Sequence, residues 1–210
     1  MNFKKLLPIT TITFTLALIS LSACSSNKNT KPQANKEALN TLQAKTEPQQ
    51  NPQVRLKFND IKTATAANDF KGGTPLEQIK ALYGEPKSHE TKPAGDVTLD
   101  VYTWDVDGVI ISAQLFEDST IARAISNFAF DRKQTVTKKI YDEKLPNDLT
   151  FTEVTEIIGQ PDVMSQAVSS DGEQLQALWS SNLKGKDNTR QIELIFKNGK
   201  LSEKSQRGLE

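Results

Sequence analysis

The sequence predicts an α+β fold made of two tandem ααββββ units, with helices packed on an antiparallel sheet. Three observations carry this. First, Thr74-Pro-Leu-Glu-Gln-Ile-Lys-Ala-Leu-Tyr-Gly84-Glu-Pro86 aligns with Leu149-Thr-Phe-Thr-Glu-Val-Thr-Glu-Ile-Ile-Gly159-Gln-Pro161 at an offset of 75 residues. Second, the same offset carries Trp104 onto Trp179, the only two tryptophans in the chain. Third, Leu115-Phe116-Glu-Asp-Ser-Thr-Ile121 matches Ile195-Phe196-Lys-Asn-Gly-Lys-Leu201 at an offset of 80, the extra residues falling in the polar loop Asn182 to Thr189.

Each unit reads in the same order. A short helix is expected near Phe58-Asn-Asp-Ile61, and near Tyr141 in the second unit. After a loop, Leu76, Ile79, Leu82 and Tyr83 form one apolar stripe at helical spacing. Thr74-Pro75 fits an N-cap with proline at the first helical position, and Glu77 stands three residues on as in a capping box. Gly84 suits the position just past the helix, and Pro86 blocks continuation. Strands are expected at about 97–104, 109–116 and 120–127, and again at about 174–180, 190–197 and 200–206. One further strand precedes each set, near 87–92 and 162–168. Pro93-Ala-Gly-Asp96, Asp105-Val-Asp-Gly108 and Lys197-Asn-Gly199 supply the turns.

The N-terminus is of another kind. Lys4 and Lys5, an apolar run from Leu6 to Ile19 and then Leu21-Ser22-Ala23-Cys24 have the layout of a secretory leader. The last four residues resemble the bacterial lipobox, which implies cleavage before Cys24 and lipid on that cysteine. Residues 1–23 are then a signal peptide and 24–55 a lipidated cysteine with a polar tether. The two units occupy 56–130 and 131–210. The chain is expected on the extracytoplasmic face of the bacterial cell membrane, held by lipid on Cys24. Ser25 to Gln53 is rich in Asn, Lys, Thr, Gln and Pro, has little to bury and is expected to be disordered, with a reach of about 30 Å. Such tethers are common in lipoproteins of Gram-positive bacteria, the envelope favoured here.

Lysine plus arginine and aspartate plus glutamate each number 26, so losing Lys4 and Lys5 with the leader leaves a net charge of about −2. No basic excess points to nucleic acid. Cys24 is the sole cysteine; with it lipidated, disulfides, thiol nucleophiles and cysteine metal sites are excluded. No cofactor or metal is expected. Beyond the leader no apolar run approaches the roughly 20 residues of a membrane span, and the domain is expected to be a monomer.

Phe58, Ile61, Lys62, Gly72, Gly73, Thr74, Gly84 and Pro86, followed by a Trp-bearing sheet, resemble the repeat of the β-lactamase inhibitory protein (BLIP) family. They are similar also to the SmpA/BamE lipoprotein domain, and most of all to Gram-positive BLIP-like lipoproteins without assigned function. The resemblance covers roughly 56–208. Its motifs are caps and core, so it implies a fold and says little of activity.

Candidate chemistry is sparse. His89, the only histidine, reads as an exposed strand residue without a companion ligand. Asp105-Val-Asp107-Gly108 is too short for an EF-hand and reads as a hairpin turn. Gly72-Gly73 reads as loop geometry ahead of a helix, and the serines lack a nucleophile elbow. Tyr102 and Trp104 share one strand face while Val97, Leu99 and Val101 share the other, so either set faces the core. Trp179 reads as core. Tyr102, Trp104, Asp105 and Asp107 are therefore the candidates for binding a protein partner of the cell envelope. The expected function is a lipid-anchored binding or scaffold module with no catalytic activity. The BLIP resemblance implies an alternative: inhibition of a β-lactamase or related cell-wall enzyme, with Asp105 or Asp107 as the inserted acid.

Overall fold

The structure, a computed structural model, describes residues 51–132, 135–181, 183–185 and 189–210. Leu21, Ser22, Ala23, Cys24 and the tether up to residue 50 lie outside the described residues. Helix α1 spans Pro52–Lys57 and runs into a 3-10 turn at Phe58–Asp60; α2 spans Leu76–Tyr83. Strands β1 (Ser88–Ala94), β2 (Val97–Val106), β3 (Val109–Phe116) and β4 (Ser119–Ser126) follow. Then come α3 (Lys138–Lys144), α4 (Phe151–Ile158), β5 (Val163–Ser169), β6 (Gly172–Trp179), β7 (Gln191–Lys197) and β8 (Lys200–Arg207). The eight strands form one antiparallel sheet in sequence order. Ala122–Ile125 of β4 pair with Met164–Ala167 of β5, which makes the sheet continuous. The expected α+β class holds, with four helices and an eight-stranded antiparallel sheet among the described residues.

Local chemistry explains the hairpins. Asp107 (φ 53°) and Gly108 (φ 80°) form a two-residue turn whose twist suits the flanking strands. Burial alternates along all of β3, one face going to the core and the other away. The main core lies between helices and sheet and holds Phe58, Ile79, Trp104, Ile111, Val154, Trp179 and Phe196. Trp104 and Trp179 make matching bonds: each indole N–H donates at 2.9 Å to the carbonyl of the glycine ending the helix above it, Gly84 and Gly159.

Three expectations change. The folded part begins at Pro52, inside the stretch assigned to the tether. Asn51 caps α1 by accepting from Gln53 N–H, Pro52 suits the first turn, and Val54 and Arg55 are buried. Next, Phe58–Asp60 is a 3-10 turn, the helix proper lying just before it. Finally, Thr74 does not cap α2. Its hydroxyl accepts from Lys62 N–H (2.7 Å), Pro75 takes the cap position, and Asp118 of the β3–β4 turn accepts from Leu76 N–H (2.9 Å). The capping box occurs on α4, between Thr150 and Glu153.

Arg55 is fully buried although only tether was expected there. Its guanidinium donates to the Pro161 carbonyl (3.1 Å) and Asn59 Oδ1 (3.0 Å), tying α1 to the second half of the chain. Burial first, then neighbouring Arg123, push it down to about 10. Arg123 donates to the carbonyls of Phe58 and Ile61 and lies over the Phe58 ring.

Gly84 and Gly159 each follow the last helical residue at φ 80° with an extended ψ, a conformation essentially confined to glycine. Valine at either position should destabilise by about 1–3 kcal/mol, read by urea denaturation. A Cβ at Gly84 meets nothing within 4 Å, so its cost is backbone strain alone. One at Gly159 comes within 2.8 Å of Arg132 Nη1, so Gly159→Val should cost more. Equal or negligible effects would contradict this ranking.

Candidate partner-binding face

The four residues singled out from the sequence do not form one surface. Trp104 is 1% exposed and bonded to Gly84, so it serves the core and is withdrawn as a partner contact. The physical reason is that α2 lies over its strand face. Tyr102 is half-buried on that same face, stacked by the exposed His89 ring at a centroid distance of 4.4 Å. Burial, then the Asp100 charge, push its phenol up; His89 Nε2 stands 2.7 Å from Asp100. Asp105 points to the opposite face, where Lys87 approaches at 2.6 Å and holds its carboxyl below the usual range. It also accepts from Gly108 N–H (3.2 Å), so it braces the turn. Asp107 stands exposed at the turn itself. Gly73 is required by packing, since a Cβ there would lie 2.2 Å from the Thr120 carbonyl oxygen. Among the described residues no three His, Cys, Asp or Glu side chains cluster as a metal site.

What the structure does assemble is a trough of about 540 Å³ on the helix-free side of the sheet, over β3 to β6. Antiparallel register places its floor in two rows. One runs Ser112, Ala124, Ser165, Gln176; the other Gln114, Ala122, Ala167, Gln174. With strands roughly 4.8 Å apart the floor is about 15 Å across. It carries no charged side chain and nothing bulkier than glutamine. Arg123 borders the trough, but its guanidinium bonds to carbonyls on the helix side. At one end the turns after β5 and β7 are clipped together: Glu173 N–H donates to Asn198 Oδ1 (2.9 Å) and Asn198 N–H to the Glu173 carbonyl (2.8 Å). Lys197 there is paired with Glu203 at 2.7 Å.

Beside this floor a small apolar cluster sits apart from the main core. Ala64, Leu99 and Ile121 are buried in it, with Phe70, Val97 and Phe116 partly covered. Phe116 is two residues along β3 from Gln114 and on the same face. The sequence reading missed this surface because alanine, serine and glutamine carry no motif. The signal available was small residues at period two on neighbouring strands: Ala122 with Ala124, and Ser165 with Ala167.

The comparisons with known proteins agree on family and fold. A search of curated proteins returned no match. A crystal structure of a "putative beta-lactamase inhibitor protein" from Streptococcus mutans is 48% identical. The match covers 79% of this chain and 100% of that one, with a TM-score of 0.72. Neither that match nor the family match indicates an enzyme, and the BLIP-like resemblance is supported. The family model, a Domain of Unknown Function with solved-structure structure (DUF3862), matches residues 50–209, and so the chain belongs to the DUF3862 family.

Proposed function

We propose that this chain is a lipid-anchored, extracytoplasmic binding module without catalytic activity, and that a protein partner docks on the helix-free face of its sheet. The trough carries the reading: an uncharged floor of small side chains leaves room for a partner, whereas a merely solvated sheet face is usually lined by long charged residues. Arginine in place of Ala124 fills the trough and can extend into solvent, so Ala124→Arg should abolish partner crosslinking in the cell envelope while leaving the melting temperature nearly unchanged. Crosslinking that survives this substitution would refute the docking face.

Location rests on the lipobox-like Leu21-Ser22-Ala23-Cys24, followed by a polar tether of a kind common in Gram-positive lipoproteins. The anchored chain is taken to be a monomer. Cys24→Ser should move it from the membrane to the soluble fraction, because a cysteine carrying at least two acyl chains anchors stably and an unlipidated one does not. Retention of the mutant with membranes would overturn the assignment. The two halves are read as copies of one ααββββ unit, a reading supported by the matched Trp–Gly bonds.

A second reading is inhibition of a β-lactamase or related cell-wall enzyme. It is favoured by the description of the Streptococcus mutans relative and by exposed Asp107 at a hairpin turn. Titration against β-lactamases and penicillin-binding proteins decides it: inhibition relieved by Asp107→Ala supports it, and none across the panel removes it.

A further inference from the structure

The connection between the first two helices has no counterpart in the second half. Residues 61–75 separate the Phe58–Asp60 turn from α2, whereas 145–150 suffice between α3 and α4. The extra length forms a closed excursion whose ends meet. Lys62 N–H donates to Thr74 Oγ1 (2.7 Å), and Thr74 N–H to the Lys62 carbonyl (2.9 Å). The base is also tied to β4. Ala64 N–H donates to the Thr120 carbonyl (2.7 Å), Gly73 N–H to Ser119 Oγ (2.9 Å), and Thr120 Oγ1 to the Thr74 carbonyl (2.5 Å).

Inside this frame Asp69 and Phe70 have φ of 49° and 59°. Aspartate tolerates the left-handed region; for a side chain as large as phenylalanine it is a genuine outlier. Such outliers persist only where their surroundings over-determine them, and they concentrate at functional positions. Here the surroundings hold Phe70 over Leu99 and Ile121, with Val97 and Phe116 alongside, on the helix-free face next to the trough. Covering Leu99 and Ile121 alone would need no strained residue.

We infer that Phe70, with Phe116 beside it, is the apolar anchor of the docking face, and that the occupant is an uncharged polypeptide segment carrying one large apolar side chain. This rests on the docking-face reading above. Electrostatic complementarity sets the occupant's charge. Glu90–Lys92 (2.8 Å), Lys87–Asp105 (2.6 Å) and Lys197–Glu203 (2.7 Å) are paired within the chain, and the floor is neutral. Gln114 and Gln174 offer donors and acceptors that match peptide groups. Phenylalanine, with no polar handle, matches an apolar side chain.

The test is selection of a phage-displayed random peptide library on the full chain, followed by titration of the enriched peptides. They should be neutral and share one large apolar residue. Their affinity should fall about tenfold or more in Phe70→Ala and much less in Phe70→Leu. Should Phe70→Ala fail to fold, 4-fluorophenylalanine at position 70 gives the readout in the intact fold, its fluorine resonance shifting as peptide is added. Peptides that are lost on Ala124→Arg yet indifferent at position 70 overturn the anchor and leave the docking face standing. Peptides indifferent to both positions, or a library that yields no binder, overturn both. Enrichment of charged peptides overturns the neutral occupant.

Discussion

Asp162→Ala should lower the stability of this domain by about 3–5 kcal/mol, seen as a large fall in the urea midpoint. Asp162 has no exposed surface, and its carboxylate gathers separate pieces of chain. It accepts from Phe130 N–H (2.9 Å), Ser180 N–H (2.7 Å), Ser181 N–H (2.9 Å) and Ser181 Oγ (2.7 Å). Arg132 Nη2, on a side chain 11% exposed, pairs with it at 3.0 Å. Alanine strands these donors and leaves a largely buried guanidinium without this carboxylate, and unmet buried donors cost more than a hydrogen bond contributes when made. Asp162→Asn keeps an acceptor and removes the charge, so it should fall between wild type and alanine. A loss below about 1 kcal/mol for alanine would show that the carboxylate does not organise this junction.

Trp104→Ala and Trp179→Ala should each destabilise by about 3–5 kcal/mol, the usual cost of deleting a large buried aromatic. Both side chains are essentially inaccessible, and both indoles satisfy a helix-ending carbonyl. Trp→Phe at either site keeps most of the bulk and forfeits the N–H, so about 1–2 kcal/mol is expected. Because the two environments match, the costs at 104 and 179 should agree within about 1 kcal/mol. Thermal denaturation of the four single variants checks this. A large cost at one tryptophan and a small one at the other would refute the equivalence of the two halves.

The helix ends and turns were legible because their causes are local. Gly84 and Gly159 end their helices at positive φ, and Asp107-Gly108 turns between strands, each from residues a few positions apart. Thr74 was misread for the opposite reason. Its spacing to Glu77 suits a capping box, but Lys62, twelve positions away, takes its hydroxyl. The partner surface was misread by face. Apolar residues lie on both sides of β2, and one sequence does not tell which side the helices cover. Helices cover Trp104, and the loop carrying Phe70 shelters Leu99 on the other side, so both sets are buried.

By itself the sequence determined the order and kind of the elements, the period-two strands, the turns and the internal offset that pairs Trp104 with Trp179. These follow from propensity, periodicity and capping, which act over a few residues. Only the tertiary structure decided which sheet face stays open, why Arg55 is buried, how Asp162 gathers its partners and where Phe70 comes to rest. Each of these depends on groups brought together from distant parts of the chain, as Arg55 is with Pro161 106 positions on, and no local pattern encodes which distant group arrives.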